Sequence, residues 1–190
     1  MLNLDYLPVA GTIEHGHTTP TEEMCNIWKD IKARTQFKNF FEIGQWCGHS
    51  AATILELFDD VHVTSLDIAH TRWIKKASFI LKEKFGDRFD YIHKPSSEYF
   101  ASKPKTKDYD IVFIDGDHHY GNVLNDLNLA KYLNPRYILL DDVNIEMPDG
   151  GYTVRKAFEQ VKHEFKVIEQ YRYQTLGEPV LAYLLVSKLR

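Results

Sequence analysis

The stretch that decides the fold of this chain reads Phe40-Phe41-Glu42-Ile43-Gly44-Gln45-Trp46-Cys47-Gly48-His49-Ser50. An apolar strand ends in an acid, two glycines stand four positions apart, and an amphipathic helix follows at once. Glycines at such a turn let the backbone approach a ligand closely. The stretch therefore predicts a ligand-binding turn between a strand and a helix. The alternative is a tight turn that needs glycine and binds nothing.

A second apolar run, residues 61–66, ends in Asp67, 25 residues after Glu42. A carboxylate at the end of a neighbouring strand can accept hydrogen bonds from both ribose hydroxyls. Glu42 directly precedes the first glycine, where a negative charge disfavours a pyrophosphate and suits an ammonium or sulfonium. The spacing Gly44-x-x-x-Gly48 also departs from the G-x-G-x-x-G of dinucleotide-binding turns. Together these features favour S-adenosylmethionine over NAD as the ligand.

Composition excludes several classes of protein. With 190 residues, 44% hydrophobic and 26% charged, the chain is typical of one soluble globular domain, residues 1–190. Its net charge of −4 offers no basic field, so we expect no nucleic-acid partner. No basic cluster followed by a long apolar run opens the chain, which predicts neither a signal peptide nor a membrane span and favours a cytoplasmic location. Cys25 and Cys47 suggest neither a disulfide framework nor a zinc site.

Strands and helices alternate after residues 1–18, which we expect to form an irregular arm. Thr19-Pro20-Thr21-Glu22 predicts a helix start in which Thr19 caps and Glu22 completes a capping box. Several predicted strands are almost continuously apolar, which is typical of parallel strands buried on both faces. The sequence predicts an α/β fold with a doubly wound, mostly parallel, seven-stranded sheet and an antiparallel C-terminal hairpin turning at residues 177–179. The predicted strands are 38–43, 61–68, 90–93, 110–114, 136–141, 165–173 and 180–186, and the predicted helices after the first are 50–58, 72–85, 97–101, 120–133 and 152–163.

Acidic residues follow two of the predicted strands. Asp115 follows residues 111–114, and Asp141 and Asp142 follow residues 137–140. If these strands are parallel neighbours, their ends lie about 5 Å apart. Three carboxylates that close repel one another unless a cation or a proton compensates, and oxygen ligands suit a hard divalent ion such as Mg²⁺. The acids predict a metal site that lowers the pKa of a substrate hydroxyl; the alternative is a solvated turn.

His118 stands three residues after Asp115, close enough to accept a proton from that hydroxyl. His119 and Asp117 are competing candidates, and a surface or helix-capping histidine is the alternative. Ser96 and Ser97 follow the third predicted strand. Their hydroxyls could meet the adenine of a bound nucleoside, or one of them could cap the next helix.

At these residues the chain resembles the class I S-adenosylmethionine-dependent methyltransferases. More narrowly, it is similar to the cephalosporin-hydroxylase-like and macrolide-sugar O-methyltransferases. The general signature E-x-G-x-x-x-G-x-S occurs at residues 42–50, and I-D-G-D-H occurs at residues 114–118, followed by an acidic pair after the fifth strand. The resemblance runs from about residue 21 to residue 163. One departure is Val143, which stands where catechol-type relatives carry asparagine.

The resemblance implies a role for each matching residue. Glu42 and Gly44 would line the methionine end of the cofactor, and Gly48 and Ser50 belong to the same loop. Asp67 would hold the ribose, and Ser96 or Ser97 would lie near adenine. Asp115, Asp141 and Asp142 would hold Mg²⁺ beside the cofactor crevice, His118 would be the general base, and Asp115 would also contact the cofactor and take part in catalysis.

The leading hypothesis is therefore an O-methyltransferase that uses S-adenosylmethionine, helped by Mg²⁺, on a small hydroxylated acceptor such as a sugar. The alternatives are a non-catalytic S-adenosylmethionine-binding module, an NAD-dependent oxidoreductase and a metal hydrolase that uses the aspartates alone. We expect a small-molecule partner and no membrane, and the sequence leaves a homo-oligomer open. Acceptor specificity would reside in the N-terminal arm and in residues 144–152.

Overall fold

The computed structural model describes residues 2–8, 20–143, 153–175 and 178–189. The strands of these ranges are β1 (Asn39–Ile43), β2 (His62–Asp67), β3 (Phe89–His93), β4 (Ile111–Ile114), β5 (Tyr137–Asp141), β6 (Phe165–Thr175) and β7 (Glu178–Lys188). The helices are α1 (Glu22–Thr35), α2 (His49–Leu57), α3 (Arg72–Phe85), α4 (Ser96–Ala101), α5 (Tyr120–Leu133) and α6 (Thr153–Val161). Short 3₁₀ turns at Gly86–Arg88 and Lys162–Glu164 precede β3 and β6.

The strands form one seven-stranded sheet in the order β3-β2-β1-β4-β5-β7-β6. The first five strands are parallel, whereas β7 pairs antiparallel with β5 and with β6. The predicted fold class is therefore confirmed. The chain moves outward from β1 to β3 and then returns to place β4 on the other side of β1. Parallel sheets bind ligands at such a reversal, beyond the carboxyl ends of the strands.

Apolar side chains pack on both faces of the sheet. Trp28, Phe40 and Phe113 belong to one buried cluster, and Phe41 and Val112 belong to the other. Adjacent strand residues point to opposite faces, so a strand covered by helices on both sides has to be apolar throughout. All four residues of β4 are buried, which confirms the interpretation of the continuous apolar runs.

Two local predictions are wrong. Thr21, in an extended conformation, caps α1 by accepting a hydrogen bond from the Met24 amide at 3.2 Å, so Thr19 is not the cap. Glu178 and Pro179 belong to β7, because pairing with β6 continues to Thr175 and Glu178 and leaves a shorter turn than predicted. In both places the helix or strand ends one or two residues away from where residue preferences alone put it.

The start of the chain is irregular, as predicted, but it is not detached from the core. Leu4 and Leu7 are buried in the first apolar cluster, and the Tyr6 hydroxyl donates a 2.9 Å hydrogen bond to Glu56. The rest of the arm and residues 144–152, to which we assigned acceptor specificity, lie outside the described residues. No helix in the described ranges is both long enough and apolar enough to cross a membrane.

Candidate active site

The glycine turn between β1 and α2 passes directly against the end of β4. Gly44 has a φ of 93°, and a Cβ at this position would lie 2.0 Å from the backbone oxygen of Asp115. Gly48 has a φ of 82°, and a Cβ there would lie 2.8 Å from the Leu81 side chain. Both positions therefore need glycine, for backbone conformation and for space. The turn brings the predicted cofactor loop and the predicted chemical residues to one edge of the sheet.

Glu42 is fully buried beneath this turn. One carboxylate oxygen accepts a hydrogen bond from the Ser50 hydroxyl, and the other accepts one from the Ser65 hydroxyl at 2.5 Å. Burial raises the pKa of Glu42 to about 7, although the two hydroxyls favour the charged form. The predicted contacts of Glu42 and Ser50 with the cofactor stay predictions, since here the two side chains bind each other.

Asp67 holds the glycine turn in shape. One oxygen accepts hydrogen bonds from the Gln45 and Trp46 amides at 2.8 and 3.1 Å, and the other accepts from the Ala69 amide at 2.8 Å. Trp46 has a φ of 45°, which is uncommon for a residue with a side chain. The carboxylate is partly exposed, and each oxygen can accept more than one hydrogen bond. Asp67 can therefore brace the turn and still accept from a ribose hydroxyl.

Ser96 and Ser97 begin α4 rather than cap it. The residue before the helix is Pro95, which makes no side-chain cap, so the capping alternative is wrong. The Ser96 hydroxyl oxygen accepts a 3.2 Å hydrogen bond from the Asn125 side chain on α5, whereas Ser97 is exposed. Of the two predicted adenine contacts, Ser96 is engaged within the fold and Ser97 is accessible.

Three carboxylates meet at the ends of β4 and β5, which are parallel neighbours as expected. Burial, together with the charges of Asp141 and Asp142, raises the pKa of Asp115 well above its usual range. Burial and the neighbouring Asp142 likewise raise the pKa of Asp141. Asp142 has a φ of 51°, and its amide donates a 2.8 Å hydrogen bond to Asp141. The site therefore concentrates negative charge with too few hydrogen-bond donors to neutralise it.

His118 joins this cluster. Its Nε2 lies 3.3 Å from an Asp142 carboxylate oxygen, and one donor atom each from Asp115, His118 and Asp142 lie within 4.8 Å of one another. The predicted ligands Asp115 and Asp142 are therefore brought together, with His118 rather than Asp141 as the third member of the group. Asp141 instead accepts a hydrogen bond from the Asp142 amide and lies near enough to Asp115 to raise the pKa of that carboxyl.

This donor set fits a divalent cation. The carboxylate oxygens of Asp115 and Asp142 suit Mg²⁺, Mn²⁺ or Ca²⁺, with the imidazole of His118 beside them. Burial is the largest cause of the raised pKa values of Asp115 and Asp141, and the repulsion between neighbouring carboxylates, which a cation would relieve, adds to it.

The competing histidine has a different environment. His119 Nδ1 lies 2.5 Å from an Asp117 oxygen, and its side chain is 80% exposed. Asp117 also accepts a 2.8 Å hydrogen bond from Asn122. These contacts order the start of α5, whereas His118 faces the aspartates.

The sequence analysis missed several polar residues that organise the site. Ser65 holds Glu42, and Ser78 on α3 donates to the side chain of buried Gln45 at 2.9 Å. Asp126 on α5 is only 2% exposed. Asp126 could have been found, because it occupies a position of α5 that faces the core, next to Leu127 in an otherwise apolar stripe.

Known proteins give this site a family. A family profile described as a methyltransferase domain matches residues 41–143, more than half of the chain and all of the sheet edge described above. The chain belongs to this methyltransferase family. No curated protein matches it in sequence.

Solved structures of methyltransferases share the fold. An O-methyltransferase from Klebsiella pneumoniae is 20% identical, with a TM-score of 0.69 over 96% of this chain and 84% of that one. TomG from Streptomyces achromogenes, an O-methyltransferase of tomaymycin synthesis solved with SAM, is 17% identical, with a TM-score of 0.65 over 88% and 80%. A Bacillus cereus O-methyltransferase in complex with SAH is 16% identical, with a TM-score of 0.67 over 97% and 86%. At these identities the likeness establishes the fold, and the family match confirms the predicted resemblance to methyltransferases.

Proposed function

We propose that this methyltransferase moves a methyl group from S-adenosylmethionine to a hydroxyl oxygen of a small acceptor, with a divalent cation assisting. The observation that carries the proposal is the convergence of Asp115, His118 and Asp142 beside the Gly44 turn. An acid–imidazole cluster at this edge suits the deprotonation of an oxygen nucleophile. TomG and the Bacillus cereus protein, which share the fold, are O-methyltransferases solved with SAM and SAH.

The cofactor would lie across the glycine turn. Gly44 and Gly48 allow the tight backbone path of the turn, and Asp67 offers a carboxylate to the ribose hydroxyls. The partly exposed edge after β3, at Ser97, is the remaining candidate for adenine. S-adenosylmethionine supplies an activated methyl on a positively charged sulfur, so the protein has mainly to align the acceptor oxygen and remove its proton.

His118 is the residue best placed to take that proton. Its Nε2 lies 3.3 Å from an Asp142 carboxylate oxygen and so faces the edge at which the acceptor hydroxyl would bind. Asp115 and Asp142 would hold the cation, which lowers the pKa of a bound hydroxyl. Asp141 accepts a hydrogen bond from the Asp142 amide and so helps to orient Asp142. A sugar or another polyol would present suitable hydroxyls to this cluster.

Calorimetric titration with S-adenosylhomocysteine, with and without Mg²⁺ and with NADH as the control, tests the proposal. We expect micromolar binding of S-adenosylhomocysteine and none of NADH. Separate titration with Mn²⁺ reports on the aspartate cluster and should lose its signal in Asp142→Asn. Absence of S-adenosylhomocysteine binding would overturn the cofactor assignment. Normal binding without methyl transfer to any hydroxylated acceptor would favour the non-catalytic alternative.

A further inference from the structure

Asp126 is a buried carboxylate to which the proposed reaction gives no part. It lies on α5 with 2% of its surface exposed, in the stripe that otherwise buries Val123, Leu127 and Ala130. An acid in such a position is unfavourable unless its oxygen atoms find partners. The partners of Asp126 show what this residue does.

The first partner is the backbone at the end of β4. A Cβ at Gly116 would lie 3.1 Å from an Asp126 carboxylate oxygen, so the carboxylate packs against the glycine itself. The glycine turn approaches the same piece of backbone, because a Cβ at Gly44 would lie 2.0 Å from the Asp115 backbone oxygen and 2.8 Å from the Gly116 Cα. The glycine turn packs against the end of β4, and the end of β4 packs against Asp126, with no space for a side chain at Gly44 and little at Gly116.

The second partner is the start of α4. The Ser96 hydroxyl lies close enough to the Asp126 carboxylate to favour its charged form, and the Asn125 side chain contacts both. The Asn125 side-chain amide lies 3.2 Å from the Ser96 hydroxyl oxygen and 3.4 Å from an Asp126 oxygen, which closes a three-residue network. Burial raises the pKa of Asp126 to about 6, and the hydrogen bonds from Ser96 and Asn125 oppose that rise. These contacts account for the carboxylate in the core.

We infer that Asp126 is a positioning residue of the cofactor pocket, which holds the segment after β3 at a set distance from the Asp115–Gly116 backbone. The inference rests on the proposed function, since these two segments border the proposed adenosine site. Asp126 touches no reacting atom. It acts through Ser96 on one side and Gly116 on the other, and so sets the width of the pocket.

Titration calorimetry of folded variants with S-adenosylhomocysteine tests the inference. Asp126→Ala should weaken binding roughly tenfold, the loss expected when a buried hydrogen-bonded network is broken. Asp126→Asn should stay within about threefold, because its amide fills the same space and its oxygen can accept from Ser96. Ser96→Ala should weaken binding, and the Ser96→Ala/Asp126→Ala double variant should lose less than the sum of the two. Asn128→Ala, at an exposed position of the same helix, is the control.

If Asp126 only stabilised the fold, its variants would change the free energy of unfolding and leave the affinity for S-adenosylhomocysteine unchanged. Urea denaturation at pH 8 should show Asp126→Asn at least as stable as wild type, since it buries no ionisable group, while Asp126→Ala is less stable. If folded Asp126→Ala and Ser96→Ala bind S-adenosylhomocysteine like wild type, the inference is wrong. Ser96→Ala decides the question alone if Asp126→Ala fails to fold. If wild type itself does not bind S-adenosylhomocysteine, the proposed function is wrong and so is the inference that rests on it.

Discussion

The acids in the two halves of the sheet edge differ in how fully their carboxylate oxygens are hydrogen-bonded. On the β1–β2 side, Glu42 and Asp67 accept hydrogen bonds on all four of their oxygens from hydroxyls and backbone amides. On the β4–β5 side, Asp115, Asp141 and Asp142 face one another. The hydrogen bonds of the chain itself assemble the first half, whereas the carboxylates of the second half repel one another.

This difference separates shape from chemistry. Internal hydrogen bonds hold the first half in place before any ligand binds, so the protein loses less conformational entropy when the cofactor binds. In the proposed reaction, the divalent ion and the acceptor hydroxyl would compensate the crowded carboxylates of the second half. Substitutions in each half should therefore affect different measurements.

The largest effect should come from the chemical half. We expect His118→Ala to lower turnover by ~10²–10⁴-fold, because it removes the group that takes the acceptor proton. Affinity for S-adenosylhomocysteine should stay at the wild-type value. Initial rates at saturating cofactor, together with calorimetry, measure both quantities.

His119→Ala is the matched control for that experiment. Its side chain is 80% exposed and pairs with Asp117, so its loss should change turnover by less than about threefold. If His119→Ala instead had low turnover and His118→Ala had the turnover of wild type, His119 would be the general base and the assignment of the chemical half would be wrong.

The next effect concerns the contact between the halves. Gly44→Ala should lower the free energy of unfolding by about 4 kcal/mol or prevent folding, since a Cβ there meets the Asp115 backbone and φ is positive. Gly121→Ala, where nothing lies within 4 Å of the added Cβ, should be neutral or stabilising by up to about 1 kcal/mol. Urea denaturation of both variants measures these changes. A Gly44→Ala variant as stable as wild type would contradict the close approach of the glycine turn to the Asp115 backbone.

Glu42 should make the first half sensitive to pH. Its pKa in the folded protein is raised to about 7, so the folded state favours the protonated carboxyl. The stability it contributes is present below its usual pKa of 4.5 and is lost as pH rises to about 7, a fall of about 3 kcal/mol. Glu42→Gln, which cannot ionise, should lack this fall.

Denaturation of cofactor-free protein at several pH values measures that difference. The free energy of unfolding of Glu42→Gln minus that of wild type should grow from pH 4.5 to pH 7 and then level off. Glu98→Gln, at an exposed position of α4, should follow wild type throughout. A constant difference between Glu42→Gln and wild type would show that Glu42 stays ionised inside the protein.

The smallest effect should come from the brace of the glycine turn. Asp67→Ala should weaken S-adenosylhomocysteine about tenfold, because the Gln45 and Trp46 amides lose their acceptor and a ribose hydroxyl loses its partner. Mn²⁺ affinity, a property of the other half, should not change. Equal affinity of Asp67→Ala and wild type for S-adenosylhomocysteine would remove Asp67 from the pocket.

Much of this arrangement could be predicted because it is local. Apolar runs and helical periodicity predicted the strands of the sheet and the helices after α1 with bounds within about two residues of those in the described ranges. Burial on one or both faces sets those patterns. The glycines of the turn and the acids at the strand ends follow directly from their neighbours in the chain. For the same reason the family resemblance was visible in short motifs and is confirmed by the family match.

The order of elements, the fold class and the family can thus be predicted from sequence, because each is encoded by residues close together in the chain. The direction and the contacts of the side chains follow instead from how the elements pack. The register between β1 and β2 sets Glu42 opposite Ser65, and the packing of α5 sets Asp126 against Gly116. Contacts of this kind join residues far apart in sequence, and their geometry depends on register and packing that no single segment specifies.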